Sequence, residues 1–526
     1  MIFTRRAHVR TLLGISCIYT LLALVTVLAN PNERVLDDAA WRADIATVAD
    51  TIRNEHPRPF RNIDENVFDT SYEALLNDVP KLSDKEIIVR LASLVALIDD
   101  GHTRLAIPRQ HPEIGLEFGH TPTPAPSHAE LEFRQLPLAF EKFDDGVFVV
   151  SAIADLAELI GHEVTAIDGT PIAEAFEAVQ AVTFAENSQL EILMGVDRLS
   201  LIEVLAALGI SRSAEAATFD LVTPDGTFEQ MSVSALPRGP LNWIGAFSDA
   251  DTPLRLKNPN EVFWSEYVAD DNVVYMQMDE ISDGEISLAE FVTKTLATAD
   301  RLNAKLVIDI RNNFGGSGGL NKTLVMALLQ NNELNQYDRT FVLIGRRTFS
   351  AAQMLVNELE QYTRVSFVGE PTGSRPDHFG DPKKVRLENS GLTLRVSRLH
   401  WSSYTAFDER EAAVPDFPVN WTSGDYFAGA DPALALAVSL RDINLKTLLR
   451  MALQRGDLHQ IGRYTLDSQR ATDTYQIDFS NSLLELGKEF EELNDKETAS
   501  FTYRVGRYFY PENEQLVAAL DGLESS

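Results

Sequence analysis

At 526 residues the chain is longer than a single hydrophobic core organises, and three or four units of ordinary domain size are expected. Hydrophobic residues make up 44% and charged residues 24%, the balance of a folded protein, which excludes a disordered or fibrous chain. The formal charge of -32 excludes nucleic acid as a partner, because neutralising phosphates takes a surplus of Lys and Arg.

Residues 1–29 read as an export signal. Arg5, Arg6 and Arg10 precede an apolar run from Leu12 to Leu28, and Val27-Leu28-Ala29 offers small residues for cleavage. A periplasmic or secreted location is expected, with residues 11–28 serving as a membrane anchor only if the segment stays uncleaved. The single cysteine, Cys17, lies inside this run, so disulfides, cysteine catalysis and cysteine metal sites are excluded from the mature chain. A lipoprotein reading of Cys17 is disfavoured, since Gly14 stands where such signals carry Leu.

Residues 30–110 form a helical N-terminal unit. Ile45, Val48 and Ile52, then Leu75 and Leu76, then Ile87, Ile88, Leu91, Leu94 and Leu97 recur at three- and four-residue spacing from Asp37 to about Leu105. Asp99-Asp100-Gly101-His102-Thr103 breaks the pattern and is expected to expose His102 on a turn. A proline-rich linker, 111–128, follows.

Residues 129–235 form a β-domain, with strands at Gly146–Val150 and Glu163–Ile167 and an amphipathic stretch from Ile172 to Val182. The run Gly161-His-Glu-Val-Thr-Ala-Ile-Asp-Gly-Thr-Pro-Ile172 resembles the hairpin of a PDZ-like domain, with a helical insertion to about Ser213. A small β-domain without that kinship fits the same residues.

Within 255–430, strands and helices alternate from Asn272 onward. Strands are expected at 273–278, 306–310, 341–344 and 365–368, and helices at 288–302, 320–329 and 351–362. That order implies βαβ units and a mainly parallel sheet. A hairpin, 384–387 with 392–396, turns at Asn389-Ser390-Gly391. Residues 431–526 are helical. Leu484 to Phe490, Ala499 and Tyr510-Pro511 are similar to one tetratricopeptide-like helix pair, and a plain helical cap is the other reading.

Two turns carry the candidate chemistry. In Lys305-Leu-Val-Ile-Asp-Ile-Arg-Asn-Asn-Phe-Gly-Gly-Ser-Gly-Gly319 an apolar strand enters a glycine turn whose amides can face an anion. Leu320-Asn321-Lys322 after it is no Walker signature, which argues against nucleotide binding. In Phe341-Val-Leu-Ile-Gly-Arg-Arg-Thr-Phe-Ser350-Ala-Ala, Ser350 falls between strand and helix, where the helix dipole and the Ala351 amide favour negative charge beside its hydroxyl. An ordinary N-cap serine would look the same. Successive βα turns of one parallel sheet are neighbours, so Gly315 and Ala351 together could form an oxyanion hole over Ser350. The ten histidines are scattered, and His162-Glu163 lacks a second zinc-ligating His, so no metal and no cofactor are expected.

Asp309-Ile-Arg-Asn-Asn-Phe-Gly-Gly316, Thr348-Phe-Ser350-Ala-Ala and Val368-Gly-Glu-Pro-Thr-Gly373 resemble consecutive blocks of the tail-specific (C-terminal processing) serine proteases. Asp100-Gly-His102-Thr resembles the histidine block of their tricorn-like branch. The resemblance covers most of Asp37 to Val419. It implies an α/β fold with a crotonase-like βα spiral as catalytic domain, Ser350 as nucleophile, Gly315 as oxyanion donor, and a peptide or protein substrate. The family's base is a lysine or a histidine. Arg375 stands at the lysine's place and cannot act as a base. The histidine branch nominates His102, and His378 is the reserve. The family's acid precedes a Pro-Asp pair, here Pro415-Asp416, which points to Glu409 with Asp408 adjacent. Gln353 replaces a glutamate common after the nucleophile. The expected function is therefore that of an exported serine peptidase. Its rivals are a non-catalytic binder of apolar ligands or peptides on the same fold, and an acyl-CoA enzyme, which export to a compartment without coenzyme A disfavours.

Overall fold

The computed structural model describes residues 34–110, 125–236, 242–248, 252–402, 408–470 and 480–524. The expected export segment with Cys17, and most of the expected linker, lie outside the described residues. Among those described, no helix is long and apolar enough to cross a membrane. The chain divides into two units. One runs to Thr252 and adds Gly373–Glu411 and Trp421–Ala430; the other comprises Pro253–Thr372, Ala412–Asn420 and Asp431–Ser526.

In the first unit the expected helices are Asp38–Glu55, Glu65–Asp78 and Asp84–Ala96. Each starts at a residue whose side chain accepts from its first-turn amides: Asp37, Asp64, and Ser83 in a reciprocal box with Glu86. Their apolar stripes close over Leu387, Leu392, Leu394 and Val396 of the hairpin formed by Lys383–Arg386 and Thr393–Val396. The hairpin turn is held by buried Asp44, whose carboxylate accepts from the Asn389 and Ser390 amides and the Ser390 hydroxyl. Helical reading as far as Leu105 was too long: Arg104–Leu105 is a strand, antiparallel to Thr393–Val396.

The β-domain lines up Leu138–Phe143, Gly146–Ile153, Glu163–Ile167, Ala216–Val222 and Phe228–Ser234 as antiparallel neighbours. Alternation sets its core side, with Ala217, Phe219 and Leu221 buried. The helical insertion comprises Ile172–Gln180, Ser188–Arg198 and Ile202–Ala207, which cover that side with Ala175, Val179, Val196 and Ile202.

The second unit is built on a six-stranded sheet, in the order Phe417–Pro418, Ser366–Gly369, Thr340–Ile344, Lys305–Asp309, Val273–Met278 and Phe263–Val268. All neighbours are parallel except the last pair. From Val273 to Gly369 each new strand is added on the same side of the one before. Right-handed crossovers then put every connecting helix on one face. Accordingly Leu288–Leu302, Asn321–Leu329 and Ala351–Tyr362 share one core with Val274, Met276, Leu306, Ile308, Val342 and Ile344. The alternate residues, Val273, Tyr275, Val307, Phe341 and Leu343, face the other way, against Leu448, Leu449, Tyr464, Leu483 and Phe490 of the C-terminal helices. Arg311 fastens the tail at its start, pairing with Asp309 at the end of one strand and with Asp431, the cap of helix Pro432–Ser439.

Candidate active site

The register between Lys305–Asp309 and Thr340–Ile344 sends their following loops out of the same sheet edge. Thr348 ties the loops together, its hydroxyl accepting from the Gly345 amide and donating to the Ile310 carbonyl. The Phe349 amide donates to the Asn313 carbonyl, and the Phe314 and Phe349 rings stack with centroids 4.5 Å apart. Ile281 clips the glycine turn from the other side, donating to the Gly315 carbonyl and accepting from the Ser317 amide, both at 2.7 Å.

This framework holds Ser350 in an unusual backbone conformation, φ 56° and ψ -121°, just before helix Ala351–Tyr362. An ordinary N-cap serine is extended and accepts from a first-turn amide. Ser350 is not extended, and its side chain makes no capping bond to the helix. For a residue with a Cβ this conformation costs about 1–3 kcal/mol. Gly315 lies directly against it at φ 112°: a Cβ there would sit 2.8 Å from Ser350 Cβ and 3.1 Å from Ala351 N.

Of the two expected oxyanion donors, the Ala351 amide is the first of its helix, one of the group that a helix leaves without an internal acceptor. The Gly315 amide differs from the expectation, since it donates to Asn313 Oδ1 at 2.9 Å. To serve an oxyanion it must leave Asn313. Gln353 is fully buried one turn into the helix, where its amide donates to Asn357 Oδ1, so the residue replacing the family's glutamate packs in the core.

In the first unit His102 is buried at 7% exposure, which corrects the exposed turn expected from sequence. The reason is a network from remote segments. Asp100 Oδ1 accepts from the His102 amide at 2.9 Å, while Oδ2 accepts from His56 Nε2, the Thr103 hydroxyl and the Ser397 hydroxyl. His56 Nδ1 accepts from the Arg58 amide, which assigns the His56 proton to Nε2. Burial alone would raise the Asp100 carboxyl, but the His56 hydrogen bond, the charges of His102 and His56, and the Ser397 hydroxyl hold it well below the carboxylate range.

His378, the reserve base, is also buried and stacks on His102 with ring centroids 5.8 Å apart. Its Nδ1 donates to the Arg375 carbonyl, leaving the basic lone pair on Nε2. Burial pushes His102 down to about 3 against the opposing charge of Asp100, and pushes His378 down to about 4. Both rings are neutral at neutral pH, the form that accepts a proton. Arg375, at the lysine's place, is a tie, donating to the Glu186 carbonyl and pairing with Asp99. Asp408 is buried and forks onto Arg410, whereas Glu409 is exposed.

Sequence reading missed His56, Ser397 and Glu186. Asp100, His102 and Glu186 each bring one ligand-type atom within 4.8 Å of the others. The Asp100 oxygens accept the four hydrogen bonds above, and those of Glu186 accept from the Ser374 hydroxyl and the Arg375 and Gly101 amides.

Burial, reinforced by Asp100, raises the Glu186 carboxyl to about 8. A folded-state value above the unfolded one means stability that is complete below the unfolded value and lost as pH rises through 8. The thermal midpoint of the wild type is therefore expected to fall between pH 6.5 and 8 relative to Glu186→Gln, which mimics the neutral acid. Parallel pH dependences in a calorimetric series would contradict it.

No protein-family model matches the sequence, and no curated protein matches it. Among solved structures, mature CPAF in complex with lactacystin aligns with a TM-score of 0.53 and 15% identity, over 76% of this chain and 98% of that one. Mature CPAF alone aligns at 0.51 and 15% identity, over 80% and 98%. The photosystem II D1 C-terminal processing protease aligns at 0.35 and 14% identity, over 75% and 98%. At such identities the likeness is one of fold: the chain has the fold of mature CPAF.

Proposed function

We propose that the protein is a serine peptidase that transfers the acyl group of a peptide to water. The observation that carries this reading is the backbone of Ser350: a non-glycine residue in a strained conformation, at a strand-to-helix turn, against a glycine pair, with no capping role. Strain of that kind persists where surrounding structure enforces it, typically at reactive side chains.

Ser350 Oγ attacks the peptide carbonyl carbon as its proton passes to His102. The Ala351 amide, joined by Gly315 once Asn313 releases it, binds the oxyanion. The carbon–nitrogen bond then breaks, His102 returning the proton to the leaving amine, and water repeats the sequence on the acyl-enzyme. The nearby ionised Asp100 stabilises the imidazolium and fixes the turn that bears it, so we assign it the orienting part that the resemblance gives to Glu409 or Asp408; His378 stays the reserve base. The β-domain, read as PDZ-like, would add a substrate segment as an edge strand, and the Arg-led apolar segment at 1–29 supports export.

The test is covalent. After incubation with a fluorophosphonate probe and digestion, peptide mass spectrometry is expected to find one adduct, on Ser350. A protein that stays unlabelled while binding peptides or apolar ligands would replace this reading with the non-catalytic one.

A further inference from the structure

Strands His378–Gly380 and Leu399–Trp401 of the first unit form an antiparallel pair that sets His378 opposite Trp401, Phe379 opposite His400 and Gly380 opposite Leu399. Directly opposed residues point the same way and successive ones alternate, so Phe379 and His400 share one face, and His378, Gly380, Leu399 and Trp401 share the other. The Phe379 face is filled. Phe379 is buried against His56 and His400, with ring centroids 4.6 and 4.9 Å away, and His400 faces Asp377 at 3.2 Å. On the opposite face Leu399 is 43% exposed and Trp401 is 38% exposed.

That open face adjoins the proposed base. A Cβ on Gly380 would lie 3.1 Å from Trp401 Cδ1 and 3.7 Å from His102 Nε2, so indole and imidazole border one point above the glycine. Exposed apolar side chains scattered singly are ordinary, whereas two on one face beside His102 make a surface on which an apolar group can settle. A second observation is independent of exposure. His378, 1% exposed on the same face, keeps Nδ1 on the Arg375 carbonyl, while its Nε2 has no hydrogen-bond partner among the described residues. Burial holds this ring neutral, which makes Nε2 an acceptor, and a buried acceptor left unmet costs free energy that a ligand's N–H recovers. An acceptor beside an indole calls for a donor next to an apolar group, and a peptide residue carries both, as its backbone N–H and its side chain.

We propose that the His378–Trp401 face binds one bulky apolar residue within a peptide substrate, its backbone N–H donating to His378 Nε2 and its side chain packing on the Trp401 indole and Leu399. This names a substrate class for the peptidase reading and rests on that reading. Trp401 then determines specificity, and His378 holds the substrate while His102 takes the proton. Gly380 is the floor of the site, since a side chain there would meet the indole.

In full-length protein with Ser350→Ala, which prevents turnover, fluorescence anisotropy would follow labelled peptides of equal length, blocked at both ends. One carries a single central Phe, one has Ser in its place, one has the Phe amide nitrogen methylated, and one has the amide two residues away methylated. The Phe peptide is expected to bind about tenfold more tightly than the Ser peptide, and Trp401→Ala, at an exposed position, to remove most of that preference while changing the Ser peptide less than about twofold. Methylation of the Phe amide should cost about fivefold, against less than about twofold at the remote amide. In a His378→Phe variant the parent and Phe-methylated peptides should bind alike; if that buried variant does not fold, the contrast between the two methylated positions decides. Equal affinity for the Phe and Ser peptides, a Phe preference unchanged by Trp401→Ala, or equal losses at the two methylated positions would overturn the site. Binding does not require the nucleophile, so a Phe preference that persists in a protein showing no Ser350 adduct would retire the peptidase and keep the site.

Discussion

Ser350→Ala is expected to lower kcat/KM for peptide hydrolysis by about 10⁴- to 10⁶-fold, with the loss in kcat. The alanine keeps the Cβ and therefore the backbone conformation at φ 56°, so the fold has no reason to relax. The side chain caps no helix amide in the parent, so the variant should melt within a few degrees of it. What remains would be catalysis by binding and by the Ala351 and Gly315 amides. Progress curves on a fluorogenic peptide, read beside a melting curve, decide the matter. A loss below about tenfold would remove Ser350 from the mechanism, since an unassisted water cannot replace an activated hydroxyl at such small expense.

Gly315→Ala should lower the rate by about 10²-fold, a smaller loss that arises by a different route. Its new methyl would meet Ser350 Cβ at 2.8 Å and Ala351 N at 3.1 Å, and neither neighbour is the far end of a flexible chain. At φ 112° an alanine is strained even with room to spare. The loop must therefore move, displacing the serine or the amide beside it, and a shift of about 1 Å in a reacting group lowers rate by about 10²-fold. Because the hydroxyl survives, fluorophosphonate labelling should slow rather than vanish, which separates this variant from Ser350→Ala. Unchanged labelling and turnover would mean that the close approach has no part in the chemistry.

The sheet and its helices were legible because each central strand is buried on both faces. Val273–Met278, Lys305–Asp309 and Thr340–Ile344 are short, mainly apolar runs, and the segments between them are longer and amphipathic. Ser350 was legible as a position, but its backbone was not, since φ is set by Thr348, Asn313 and Ile281 acting together. The setting of His102 was hidden for another reason. Its network joins Asp100 to His56, 44 residues away, and to Ser397, 297 residues away, and periodicity carries no trace of such pairings. Arg104–Leu105 is two residues long, too short to show alternation. Leu138–Phe143 is buried at 138, 140 and 143, so its alternation is lost after Phe140 and the run is too short to reveal a period of two.

The strands from Val273 to Gly369 advance in one direction and keep their helices on a single face, so the opposite face takes most of its cover from the C-terminal helices, with Leu254 and Trp264 from the preceding segment. While a ribosome is still making the tail, the scaffold around Ser350 already exists as sequence yet lacks half of its interior. Tyr275, Phe341 and Leu343 wait for partners that emerge as late as Leu520. The sheet that carries the Ser350 loop is thus completed on its second face by the part of the sequence that follows it.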